Sequence, residues 1–197
     1  MANKCYNTFS FFGNAKVAKQ VEIWYSELRE VASTEADSQS VSILFEVFFP
    51  GDNVRNAIPY LGVKWAYPDF GESIPLEAGE IGFVSAWSAM DGFQDHLTEV
   101  LGKMDKNLVV LLSSNTDAYE EAARYSAIGL DGKIISESAY LSYDEDDEEK
   151  ENPKYTLFYE HMRDSCDDLI GAVPGIKSRL KVHLKFLDDA FDESLKG

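Results

Sequence analysis

Ser178 and Lys181 stand at S-x-x-K spacing, at which a lysine amine can take the proton of a serine hydroxyl. That chemistry needs a dry pocket and companion motifs. The surrounding stretch is basic and amphipathic with no companion motif, so a surface helix is expected. The histidines, His96, His161 and His183, are not paired at metal-ligand spacing, and H-E-x-x-H does not occur. His161, Asp164 and Asp168 would share a helix face, read as a solvated polar face. Asp144-x-Asp146-x-Glu148 opens like a calcium loop, but position six is Glu149, where the sharp turn needs glycine. Neither G-x-G-x-x-G nor G-x-x-x-x-G-K-[ST] occurs, so no phosphate-cradling loop is indicated. No cofactor, metal ion or catalytic residue is expected.

Two tryptophans form the sharpest local constellation. Lys64-Trp65 lies in a long irregular stretch and Trp87-Ser88 at a strand end, so chain order lets both meet at one end of a sheet. Large aromatics prefer to pack. Trp65 is therefore expected to be largely buried and near Trp87, with Lys64, Trp65 and Trp87 as candidate binding residues.

The carboxylates are the second feature. There are 35 Asp+Glu against 18 Lys+Arg, a net charge of −17, and the isoelectric point is about 4.4. This argues against wrapping nucleic acid through its phosphates, which needs a basic footprint. It argues equally against docking on an anionic membrane. Solubility accounts for most such excesses. The sharper reading is a decoy, with carboxylates spaced like phosphates occupying a nucleic-acid-binding protein. Its candidate residues are Glu22, Glu27 and Glu30 on one expected helix and Asp91, Asp95 and Glu99 on another.

The elements that must position these residues follow from periodicity. Cys5–Gly13 reads as a strand. In Ala15–Ala32, Val17, Val21, Trp24, Leu28 and Val31 make one helical stripe. Val41–Phe49 reads as a strand, and Val54–Gly79 as a long irregular loop. Glu80–Trp87 is the next strand and Asp91–Met104 the next helix. Leu108–Leu112 reads as a strand buried on both faces. Asp131-Gly132 joins two β-prone runs, a strong hairpin signal. Two tandem strand–helix–strand units predict a ferredoxin-like β-α-β-β-α-β sandwich, an α+β fold with helices on one face, extended by that hairpin.

Seven acids and one lysine fill residues 144–151; such a run repels itself and buries nothing. The expected organisation is a ferredoxin-like domain over 1–143, an acidic linker over 144–152 and a C-terminal helical hairpin over 153–197. The hairpin's arms are Tyr155–Ile170 and Ile176–Leu195. The 197 residues suffice for a core without staples. The opening predicts no secretory leader, and no run approaches the length of a membrane span. Cys5 and Cys166 read as free thiols of a reducing compartment, and the cytoplasm is expected.

Four patches resemble the YubB-type ferredoxin-like family carried by plasmids and phages. They are Asn3-Lys4-Cys5-Tyr6-Asn7 with Gly13, Gly62-Val63-Lys64-Trp65, Phe83-Val-Ser-Ala-Trp87-Ser88, and Tyr119-Glu120-Glu121 ahead of Gly129–Gly132. The resemblance covers residues 1–143. Lys4 stands where the family has tryptophan, Val63 where it has threonine, and Ala89-Met90 where it has prolines. The resemblance implies a ferredoxin-like fold, a mobile genetic element as source and no established enzymatic role.

The leading expectation is a non-enzymatic protein that binds and inhibits a host defence or DNA-handling protein, acting as an acidic nucleic-acid mimic. The partner is a host protein, itself nucleic-acid-binding. The alternatives are a small enzyme with a site near Trp65 and Trp87, and a single-strand RNA-binding module stacking bases on sheet aromatics.

Overall fold

A computed structural model describes residues 3–34, 41–50, 58–72, 76–77, 79–116, 120–142 and 151–195. The acidic run 144–150 and parts of the long loop lie outside them. Strands β1 (Lys4–Phe12), β2 (Ala66–Asp69), β3 (Glu80–Ala86), β4 (Val109–Thr116), β5 (Glu120–Ile128) and β6 (Ile134–Ser142) form one sheet. Its order is β2-β3-β1-β4-β5-β6, and every neighbouring pair is antiparallel. The helices are α1 (Ala15–Thr34), α2 (Ser42–Phe48), α3 (Ile58–Leu61), α4 (Asp91–Gly102), α5 (Glu151–Ala172) and α6 (Lys177–Ser194). The architecture is α+β with a C-terminal helical hairpin.

Alternation along the strands separates two cores, because successive strand side chains point to opposite faces. Phe9, Ile81, Phe83, Val110 and Leu112 face α1, α2 and α4 and form the first core. Val109, Leu111, Ala123, Tyr125 and Leu141 face α5 and α6 and form the second. β4 therefore supplies both cores, as its unbroken apolar run predicts. Helices cover both faces of the sheet, where the sequence predicted one.

α1 starts where Asn14 Oδ1 accepts the N–H groups of Lys16 (2.9 Å) and Val17 (3.2 Å), the bond pattern of an N-cap. Its predicted stripe is the buried face: Val17, Val21, Trp24 and Leu28. The expected strand over Val41–Phe49 is instead helix α2. A short apolar run does not distinguish a buried strand from a buried helix. The position beside β3 is taken by β2, so this segment covers the sheet, with Phe48 edge-on to Phe83 and Phe93. β2 itself lies inside the predicted loop. It carries Pro68, which an edge strand tolerates because one side needs no ladder donor.

Among the described residues no helix is long and apolar enough to cross a membrane. Cys5 and Cys166 are both buried.

Candidate functional site

The end of the sheet carrying the two tryptophans is fixed by one buried asparagine. Asn7 is 2% exposed. Its Nδ2 donates to Cys5 O (3.0 Å) and Ser85 Oγ (2.9 Å), and its Oδ1 accepts Met90 N–H (3.1 Å). Ser85 Oγ donates to Ser88 O (2.7 Å). The two side chains thus clamp residues 88–90 onto the centre of the sheet. Immediately before the clamped residues Trp87 N–H donates to Asn3 O (3.1 Å), and Ser88 N–H to Ala86 O (2.8 Å).

The result is a backbone outlier. Trp87 has φ 69°, the one non-glycine residue at positive φ among the described residues. For an L residue this conformation costs roughly 1–2 kcal/mol, and in a bulky residue it marks strain. The indole is 61% exposed, so burial does not offset the cost.

Trp65 occupies the same end. Ala86 N–H donates to Trp65 O (3.1 Å), so the chain meets the strand end there as expected. The side chains do not follow the expectation. Trp65 is half-buried and stacks on Tyr67, ring centroids 5.9 Å apart at 7°. Among the described ring contacts none joins it to Trp87. Register explains this: Trp65 precedes β2 by one residue and shares a face with Tyr67, while the positive φ turns Trp87 outward. Lys64 is exposed. A close pass of Gly62 and Gly92 sets the approach to this loop. A Cβ on either would meet the other's amide nitrogen at 3.0 Å, and Gly62 has φ 76°.

The two carboxylate sets are on helix surfaces, but neither is a continuous acidic face. Glu22, Glu27 and Glu30 are exposed on α1, which also exposes Lys16, Lys19 and Arg29. On α4, Asp95 is paired with Arg124 at 2.7 Å, and Glu99 has Lys103 one turn on at 3.9 Å; Asp91 is exposed. Arg124 is anchored further by donating to Gln94 Oε1 (2.8 Å) and Ser136 Oγ (3.0 Å). Ser178 and Lys181 are both exposed on α6, as the surface-helix reading predicts. His161, Asp164 and Asp168 are exposed on α5, and among the described residues no cluster of three His, Cys, Asp or Glu could hold a metal ion.

Sequence reasoning missed a groove on the sheet face beside α5 and α6. One end, about 800 Å3, is lined by Ser10, Phe12, Ser113, Met162, Val182 and Phe186, among others. The other, about 260 Å3, includes Tyr6, Thr8, Ser113, Glu121, Tyr159 and Met162. Ser113 and Met162 are common to both, so the two ends adjoin. Tyr6, Thr8, Ser10 and Phe12 are the residues β1 turns to that face. Their alternation with Cys5, Asn7, Phe9 and Phe11 is the one sequence signal for it. The groove's owner on the helical side is the hairpin, whose position across the sheet no local pattern encodes.

His183 sits in the wall of the wider end. Its Nε2 is 2.9 Å from Tyr125 Oη, and its ring lies 5.0 Å from that of Phe12. Burial lowers its pKa to about 4, so the ring is neutral at pH 7. Burial raises the Tyr125 phenol and pushes the Cys166 thiol up to about 12. This thiol is a protonated core group rather than a nucleophile. At the narrow end burial raises the Glu121 carboxyl, opposed by a hydrogen bond from Tyr155.

Comparison with known proteins gives no matching family model, no matching curated protein and no matching solved structure.

Proposed function

We propose that this chain is a non-enzymatic interaction protein with a ferredoxin-like core, of the kind carried by plasmids and phages. It binds and inhibits a host defence or DNA-handling protein in the cytoplasm of a bacterial host. The strand order β2-β3-β1-β4 with α1 and α4 in the crossovers supports the ferredoxin-like reading, because that is the split β-α-β pattern. The observation that carries the function is Trp87. The fold holds an exposed indole in a strained backbone by a buried hydrogen-bond clamp. Tryptophan is among the residues that most often anchor protein interfaces, and strain persists where surrounding structure over-determines it. Acidic mimicry is the weaker component of this reading, because bases interleave with the carboxylates on α1 and pair with them on α4.

The test compares Trp87→Gly with Trp87→Ala, using a partner captured from bacterial lysate by the wild-type protein and then purified. Glycine accepts positive φ without strain. Trp87→Gly should therefore melt at or above the wild-type temperature, while Trp87→Ala should be less stable than Trp87→Gly by about 1 kcal/mol. Both should lose the partner. Undiminished binding by both variants refutes the reading. So does a large loss of stability in Trp87→Gly, which would make the indole a packing group.

A second reading, single-strand RNA binding, is favoured by one observation. Tyr6 and Tyr67 flank Val84 in register, and Trp65 stacks on Tyr67, which makes a row of rings on one sheet face on which bases could stack. A labelled oligouridine that binds wild-type protein and is lost in Tyr67→Ala would favour it.

A further inference from the structure

The groove along β1 is a second surface, distinct from the Trp87 corner, and its chemistry is more specific. We infer that it takes an extended, cationic, amphipathic segment of a partner protein. Three observations converge. The first is shape. Tyr6 to Phe12 spans six residue steps, about 20 Å at the rise of a strand. The lining follows one face of β1 along its length, Tyr6 and Thr8 at the narrow end and Ser10 and Phe12 at the wide end, a straight run that an extended chain matches residue for residue. β1 already pairs with β3 and β4 on both sides, so the guest cannot join the sheet and is held by side chains.

The second is apolarity at the mouth. Val182 and Phe186 are one turn apart on α6 and are 82% and 57% exposed, although both line the groove. With Phe12 and Met162 they form a wall that large apolar side chains of a guest would dry.

The third is charge. Glu77 and Glu80 line the wide end and Glu121 the narrow end. Glu80 is held in place: its Oε1 accepts the Ser10 hydroxyl (2.6 Å) and its Oε2 accepts Glu77 N–H (2.9 Å). The cation of this lining, Arg179, is already matched by Asp105 at 2.8 Å, and His183 is neutral. The groove therefore offers carboxylates over an apolar wall, complementary to a segment whose residues alternate between basic and apolar.

The test uses a fluorescein-labelled heptapeptide of alternating Lys and Leu, with heptalysine and an alternating Glu and Leu peptide as controls, read by anisotropy at 0.1 M salt. The Lys–Leu peptide should bind at least about tenfold tighter than heptalysine, and the Glu–Leu peptide should not bind. Val182→Ser with Phe186→Ser changes only exposed side chains. That double variant should melt like wild type yet hold the two cationic peptides equally. Glu80→Gln should weaken Lys–Leu binding and flatten its salt dependence. Equal affinity for both cationic peptides in the wild-type protein overturns the proposal, as does Lys–Leu binding unchanged in the double variant. Trp87→Gly should keep full Lys–Leu binding, so failure here and failure of the Trp87 reading are told apart.

Discussion

Truncating Phe93 to alanine should cost about 3–5 kcal/mol of stability, the range for a fully buried aromatic. For a chain of this length that is a fall in melting temperature of roughly 6–20 °C. Phe93 is 0% exposed and lies edge-on to Phe9, Phe48 and Phe83, at 5.6, 4.9 and 5.4 Å between ring centroids. It joins β1, α2, β3 and α4 in one aromatic cluster. Edge-to-face pairs add about 0.5–1.5 kcal/mol each beyond the area they bury, so the upper half of the range is expected. Calorimetric melting of the variant checks this. A fall under about 3 °C would mean that neighbouring rings refill the site.

The second large effect is acid sensitivity set by His183. Its pKa in the folded state, about 4 against an ordinary 6.5, means that the unfolded chain takes up this proton first. Stability from this group is complete above pH 6.5 and is lost as pH falls from 6.5 through 4. One pKa unit corresponds to about 1.4 kcal/mol, so at most about 3 kcal/mol is at stake over that interval. The ring is not wholly enclosed, and water at the groove mouth reduces that figure. Glu121 acts in the opposite direction, since a raised carboxyl pKa favours folding as acid is added. Comparing wild type with His183→Gln isolates the histidine. Denaturant melts at pH 7 and pH 4.5 should show a smaller loss of stability on acidification in the variant. Equal losses would mean that the imidazole charges without cost.

The sequence made the long periodic elements legible and left the lateral arrangement dark. The stripe from Val17 to Leu28 and the run from Val109 to Leu112 are local patterns, and the structure uses them as read. The α5–α6 hairpin was legible for the same reason. Val41–Phe49 reads as a strand yet folds as a helix because nine residues, apolar apart from Ser42 and Glu46, carry no period that separates the two. What decided it was the occupancy of the β3 edge by residues 66–69, a long-range fact. The candidate site divides the same way. Trp65 and Trp87 were placed at one sheet end from chain order alone. The outward turn of Trp87 needed a φ angle that nothing in Ala86-Trp87-Ser88 announces, since glycine is the usual marker of that conformation. The β1 groove needed Val182 and Phe186 brought to the same cleft as Ser10 and Ser113, residues some 70 to 170 positions apart in the chain.

Because β4 gives alternate side chains to the two cores, neither hydrophobic layer is a separate cooperative unit. Loosening α5 and α6 exposes Val109 and Leu111, and loosening α1 and α4 exposes Val110 and Leu112; either event strips one side of the same strand. The cost of opening either layer is thus charged to both. The chain is expected to melt in a single transition despite having two cores. The amide protons of residues 109–112 should be among the last to exchange with solvent, because they are released only when the whole molecule opens.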